Sequence, residues 1–107
     1  MLDHYVTIYH PSTLHDQPAP DSVINESLDS VIQELSIQYG GCTVSEAIGG
    51  WYSTDLGKVI REKVYLCKSF SESVPARAAL IELCEKLKGT FQQEAISLEI
   101  DGILEFI

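Results

Sequence analysis

Few residues in this sequence have the type and spacing to do acid–base, nucleophilic or metal chemistry. Glu62 is the first of them. It lies in Lys58–Lys68, where alternation puts it on the same face as Ile60 and Val64, toward a core. A carboxylate there must be paired or must titrate abnormally, which is one mark of a functional acid. The plainer expectation is a bulge that rotates it outward or a salt bridge at the rim. His4 and His10 bracket the first strand, about 20 Å apart along an extended chain, too far to share a metal ion. His10, His15 and Asp16 can approach through a proline-rich loop, but no H-x-x-x-H or H-x-H spacing supports a metal site, and solvated loop histidines are expected. Cys42, Cys67 and Cys84 are odd in number and contain no C-x-x-C, so reduced and mostly buried thiols are expected. No G-x-S-x-G elbow is present, and neither Gly40-Gly41 nor Gly49-Gly50 has the Lys or Ser/Thr of a phosphate cradle. No catalytic residue, metal or cofactor is therefore assigned.

Charge narrows the partners. Sixteen acids stand against seven bases in 107 residues, a formal charge of -9. That balance repels phosphate backbones and anionic lipid surfaces, so neither nucleic acid nor membrane is an expected partner. Arg61, Lys63 and Lys68 cluster, but as a solvated strand face rather than a nucleic-acid site. The length suits one domain, 1–107. No apolar run approaches the roughly 20 residues of a membrane-spanning helix. Met1-Leu2-Asp3-His4 has neither the basic nor the apolar region of a secretory leader, which points to the cytoplasm.

The elements that must position these residues follow from periodicity. His4–His10 alternates, with Val6 and Ile8 on one face and Tyr5, Thr7 and Tyr9 on the other. Pro11 ends that strand, and residues 11–20 read as a surface loop. Asp21 or Ser22 caps a helix whose stripe is Ile24, Leu28, Val31 and Leu35 and which stops at Gly40-Gly41. Cys42–Ile48 reads as a strand, and Gly49 to Gly57 as a long hairpin connection with Trp51 and Tyr52 at its tip, either anchoring a partner or folding back as a lid. Lys58–Lys68 is the clearest strand. Pro75 opens a second helix carrying Ala76, Leu80, Leu83 and Leu87, with Gly89 as its stop. Residues 92–100 make a further strand, Asp101-Gly102 a turn, and 103–107 a short fifth strand or a covering tail.

The order is β-α-β-β-α-β, an α+β chain that resembles the ferredoxin-like sandwich: a four-stranded antiparallel sheet with two helices on one face. The architecture is similar to PII-like and ACT-like regulatory modules, which implies an oligomer binding metabolites or proteins at subunit clefts. Gly40-Gly41-Cys42-Thr43, Gly49-Gly50-Trp51 and Gly57-Lys58-Val59-Ile60-Arg61-Glu62 also resemble a "GG-x-T … G-x-W … G-x-V-x-x-E" run of small bacterial proteins of uncharacterised family. With Val6, Ile8, Ile60, Val64, Leu66, Ile96, Leu98 and Ile100 inward, alternation leaves Tyr5, Thr7, Tyr9, Thr43, Ser45, Arg61, Lys63, Tyr65, Cys67, Ser97 and Glu99 on the open face. That polar and aromatic surface suits self-association, as a dimer or trimer, with a small molecule or protein bound at the resulting cleft. The binding residues expected are Tyr5, Thr7, Tyr9, Arg61, Lys63 and Tyr65 on that face, with Trp51, Tyr52 and Glu62 at the hairpin. A non-enzymatic module is the leading expectation. The alternative is a small enzyme of the dimeric α+β-barrel type with its pocket on the tyrosine-rich face, which needs His4, Tyr65 or Glu62 to converge there. A third reading is a phage- or mobile-element-type accessory protein acting by protein contact alone.

Overall fold

The computed structural model describes residues 1–107. Apolar residues recurring every three to four positions build its two helices, α1 (Asp21–Tyr39) and α2 (Arg77–Phe91). In α1 the buried stripe is Ile24, Val31 and Leu35. Its start differs from the expectation, because no side chain caps it. The Pro20 carbonyl instead accepts from the Val23 and Ile24 amides, and Asp21 already lies in the first turn, where a carboxylate complements the helix dipole. Gly40, at φ +90°, ends the helix and donates its amide to Ser36. α2 runs through Gly89 rather than stopping there. An interior glycine costs about 1 kcal/mol, whereas burying a Phe side chain contributes about 1.5–3 kcal/mol. Continuing the helix delivers Phe91 into the core at 0% exposure, so burial wins.

The strands are β1 (His4–Pro11), β2 (Thr13–Leu14), β3 (Gln17–Pro18), β4 (Thr43–Ser53), β5 (Lys58–Ser71), β6 (Ser97–Ile100) and β7 (Ile103–Phe106). Five form an antiparallel sheet in the order β4-β5-β1-β6-β7. β7 pairs with β6 of its own chain, and Ile96 and Ile107 exchange backbone hydrogen bonds beyond it, so the C-terminal segment closes the sheet in cis. Residues 11–20 are not a plain loop. β2 and β3 form a two-stranded hairpin turned by His15 at φ 57°, and the Gln93 side chain ties Thr13 to the end of α2.

The expected nine-residue connection is also corrected. β4 continues through Gly49, Gly50, Trp51 and Tyr52 to Ser53, leaving Thr54–Gly57 as the turn. Glycine disfavours strand interiors but does not forbid them, and eleven paired positions with β5 hold the segment extended. Trp51 and Tyr52 therefore sit on a strand, not at a tip.

Both helices pack on the sheet face that carries Val6, Ile8, His10, Cys67 and Leu98. The other face is open. No helix is long and apolar enough to cross a membrane.

Candidate functional site

Cross-strand partners share a face, so register decides which side chains meet on the open side. Tyr5 opposes Phe70, Thr7 opposes Lys68 and Glu99, and Tyr9 opposes Leu66. Thr43 and Ser45 join from β4 opposite Lys68 and Leu66. These residues line a hollow of about 530 Å³. A second hollow of about 220 Å³ continues past Tyr9, bounded by Gly49, Gly50, Trp51 and Glu62. Tyr9 lines both, so the open face is one trough.

Glu99 organises the larger end. Tyr5 Oη donates to Oε2 at 2.6 Å and Tyr9 Oη to Oε1 at 3.0 Å. The hydrogen bond to the carboxylate is the main cause that raises the Tyr5 phenol above its usual range. For Tyr9 partial burial comes first and the Glu99 hydrogen bond second, both upward. Both phenols thus stay protonated and hold the carboxylate in place. Lys68 Nζ lies 4.4 Å from the Tyr5 ring centroid and 5.1 Å from that of Phe70. At the other end Gly49 faces Glu62 across the β4–β5 pair, and a Cβ built on Gly49 meets nothing nearer than the Glu62 carbonyl at 3.9 Å. The missing side chain is what keeps that end open. Glu62 is exposed and joins no ion pair.

The residues expected on this face divide. Tyr5, Thr7, Tyr9, Thr43, Ser45, Ser97 and Glu99 are there, Trp51 joins them, and Glu62 faces this side rather than the helices. Arg61, Lys63, Tyr65 and Cys67 belong to the opposite side: Tyr65 packs edge-on against His10, and Cys67 is wholly buried. Tyr52 pairs with Val59 on that same opposite side. Ile60, Val64 and Leu66, expected inward, line the open side instead. β5 is apolar on both faces, so its own alternation could not choose; the opposition of Ile8 to Cys67, both at 0% exposure, did. Lys68 was missed as a site residue because the expected parity of β5 turned it inward, and Phe70 because the strand was also expected to end at Lys68.

His4, Tyr65 and Glu62 do not converge. His4 binds Asp101 through Nδ1 at 2.7 Å at the start of β1, Tyr65 lies under the helices, and Glu62 stands at the far end of the trough. His10 is buried, with Nδ1 on the Pro11 carbonyl at 2.8 Å and Nε2 on the Ser27 hydroxyl at 2.7 Å. Neither of its nitrogens is free for a metal. Cys67 and Cys84 are buried, and burial pushes their thiols up to about 12 and about 11. They are inert packing residues rather than nucleophiles.

The fold and its open trough define a small α+β protein with an antiparallel five-stranded sheet and one uncovered face. No family model and no curated protein matches the chain. The fold does have solved counterparts. A phage SAM lyase in complex with S-methyl-5'-thioadenosine is similar at a TM-score of 0.67 and 16% identity, over 97% of this chain and 88% of that one. A phage SAM lyase in the apo state is similar at 0.56 and 14% identity, over 95% of this chain and 83% of that one.

Proposed function

We propose that this chain is a small enzyme that binds S-adenosylmethionine in the open-face trough and splits it to release S-methyl-5'-thioadenosine. The observation that carries the reading is the whole-chain likeness to a phage SAM lyase, met by a trough with a carboxylate and aromatic surface at each end. The leading expectation of a non-enzymatic module gives way to the enzyme alternative. Its pocket stays on the tyrosine-rich face, and its residues change. The β4-β5-β1-β6 order with two helices on one face supports a ferredoxin-like frame to which β7 adds a strand.

The chemistry matches the groups present. Methylthioadenosine keeps the methyl and adenosyl carbons, so the bond that breaks joins sulfur to the methionine side chain. Its electron pair returns to sulfur and cancels the positive charge, while the departing fragment gives up a proton or accepts a nucleophile. Glu99, held by two phenols, is a fixed anion that selects for a cation. Glu62, free of ion pairs, is a further acceptor at the far end of the trough. Tyr9, which lines both hollows, offers a ring for the purine.

An open trough leaves a sulfonium in water. The exposed apolar side chains Trp51, Phe70, Leu104 and Phe106 support closure by a second copy, as a dimer or trimer. Two experiments test these statements. Incubating the protein with S-adenosylmethionine and following methylthioadenosine by chromatography should show turnover that falls at least tenfold in Glu99→Gln. The absence of both turnover and binding would end the enzyme reading. Light scattering should give an oligomer that Trp51→Asp with Phe106→Asp reduces to a folded monomer, and a monomeric wild type would refute the closure.

A further inference from the structure

Both cation–π contacts of this chain belong to Lys68. In a protein with 16 acidic residues its ammonium joins none of the ion pairs, which are His4–Asp101, Arg77–Glu105 and Lys88–Glu85. It rests instead between the Tyr5 and Phe70 rings, whose centroids lie 6.3 Å apart at an angle of 54°. Both centroids fall within the roughly 6 Å over which a ring attracts a cation.

We propose that the notch between Tyr5 and Phe70 is a receptor for a small organic onium, a sulfonium or quaternary ammonium, and that Lys68 is its built-in competitor. Three features point to that class. The two rings present negative faces to one position, and the phenol of Tyr5, donating to Glu99, makes its ring more electron-rich. Both Glu99 oxygens are engaged by phenols, so few acceptors remain for a hydrated metal ion, which needs several oxygen ligands. An ammonium carries three N–H donors that rings satisfy poorly, whereas an alkylated onium has none to leave unpaired. The resident lysine is therefore the poorer occupant, and a hollow of about 530 Å³ leaves room for a larger one once Lys68 swings out. This deepens the lyase reading, on which the choice of substrate rests, by giving the bound sulfonium a direction: positive sulfur at Tyr5 and Phe70, adenosyl group toward Tyr9.

The test uses a probe without adenosine, so its outcome is independent of turnover. The Lys68 ε-methylene protons, lying over two rings, resonate upfield of an ordinary lysine. Titration with trimethylsulfonium should return them toward the ordinary position, saturating at about millimolar concentration for so small an ion, and neutral dimethyl sulfide should not. Followed on the Tyr5 ring protons, Lys68→Met should raise sulfonium affinity about three- to sixfold, the competition expected from an exposed cation–π contact. The gain should survive roughly 0.5 M salt, which screens a simple loss of repulsion. Tyr5→Leu and Phe70→Leu, checked for folding by circular dichroism, should each abolish saturation. A Lys68 resonance that does not move, an equal response to dimethyl sulfide, or unchanged affinity in Lys68→Met overturns the proposal. Displacement of Lys68 in a protein that does not cleave S-adenosylmethionine would strike the lyase reading alone.

Discussion

His10 makes folding stability depend on pH in a direction the structure dictates. Its ring is 0% exposed and lies 5.0 Å from Phe91 and 6.1 Å from Tyr65 between centroids, both edge-on. The Pro11 carbonyl can only accept, so Nδ1 carries the proton, and Nε2 accepts from the Ser27 hydroxyl. That arrangement is a neutral imidazole. Burial, the largest cause, holds His10 below the ordinary histidine value of 6.5, while the Pro11 carbonyl pulls weakly the other way. Between the native value and 6.5 the unfolded chain therefore binds more protons than the folded one. Stability from this residue is complete above about pH 6.5 and declines as pH falls, by at most about 1.36 kcal/mol per pH unit for one proton. It levels off below the native value. Asp101, held below its usual range first by the His4 hydrogen bond and then by the Tyr5 amide, adds a loss only at lower pH, below about 4. Urea midpoints of the wild type and His10→Gln, measured from pH 8 to pH 5, separate the two. The wild-type curve should fall below pH 6.5, and the variant should be less stable throughout but flatter across that window. Parallel curves would refute the assignment of a buried neutral His10. Ser27→Ala, which leaves Nε2 without its donor, should cost about 1–3 kcal/mol at pH 7.5.

Other expectations are as direct. Leu98→Ala removes a wholly buried side chain from β6 beneath the helices and should lower unfolding free energy by about 2–5 kcal/mol in urea titration. Gly49→Val should leave the fold intact, since its Cβ has room, and the thermal midpoint should move by no more than a few degrees. Native protein should release one equivalent of thiol colour with a disulfide reagent, from half-buried Cys42, and three only after denaturation.

Much of the fold was legible because its signals are local. The helical stripes of α1 and α2 follow from residues three and four apart, and the alternation of Tyr5, Thr7 and Tyr9 against Val6 and Ile8 needs no partner to be read. Boundaries failed where a distant contact overrode a local preference. Gly89 did not stop α2 because Phe91 had a core to reach, and Gly49-Gly50 did not break β4 because β5 paired with it throughout.

The candidate site was half legible for the same reason. Tyr5, Tyr9 and Glu99 sit on strands with one polar and one apolar face, so sequence alone assigned their side. β5 has no such asymmetry: Val64, Tyr65, Leu66 and Cys67 suit either face, and a one-residue choice exchanges every side chain. Only tertiary pairing could resolve it. Cys67 fits beside Ile8 under the helices, which sends Tyr65 and Arg61 to the helix side of the sheet and brings Leu66, Lys68, Phe70 and Glu62 to the trough. Sequence determined which residue types the open face would carry from β1 and β6. Register, a property of two strands together, decided which cation and which aromatic rings they would meet there.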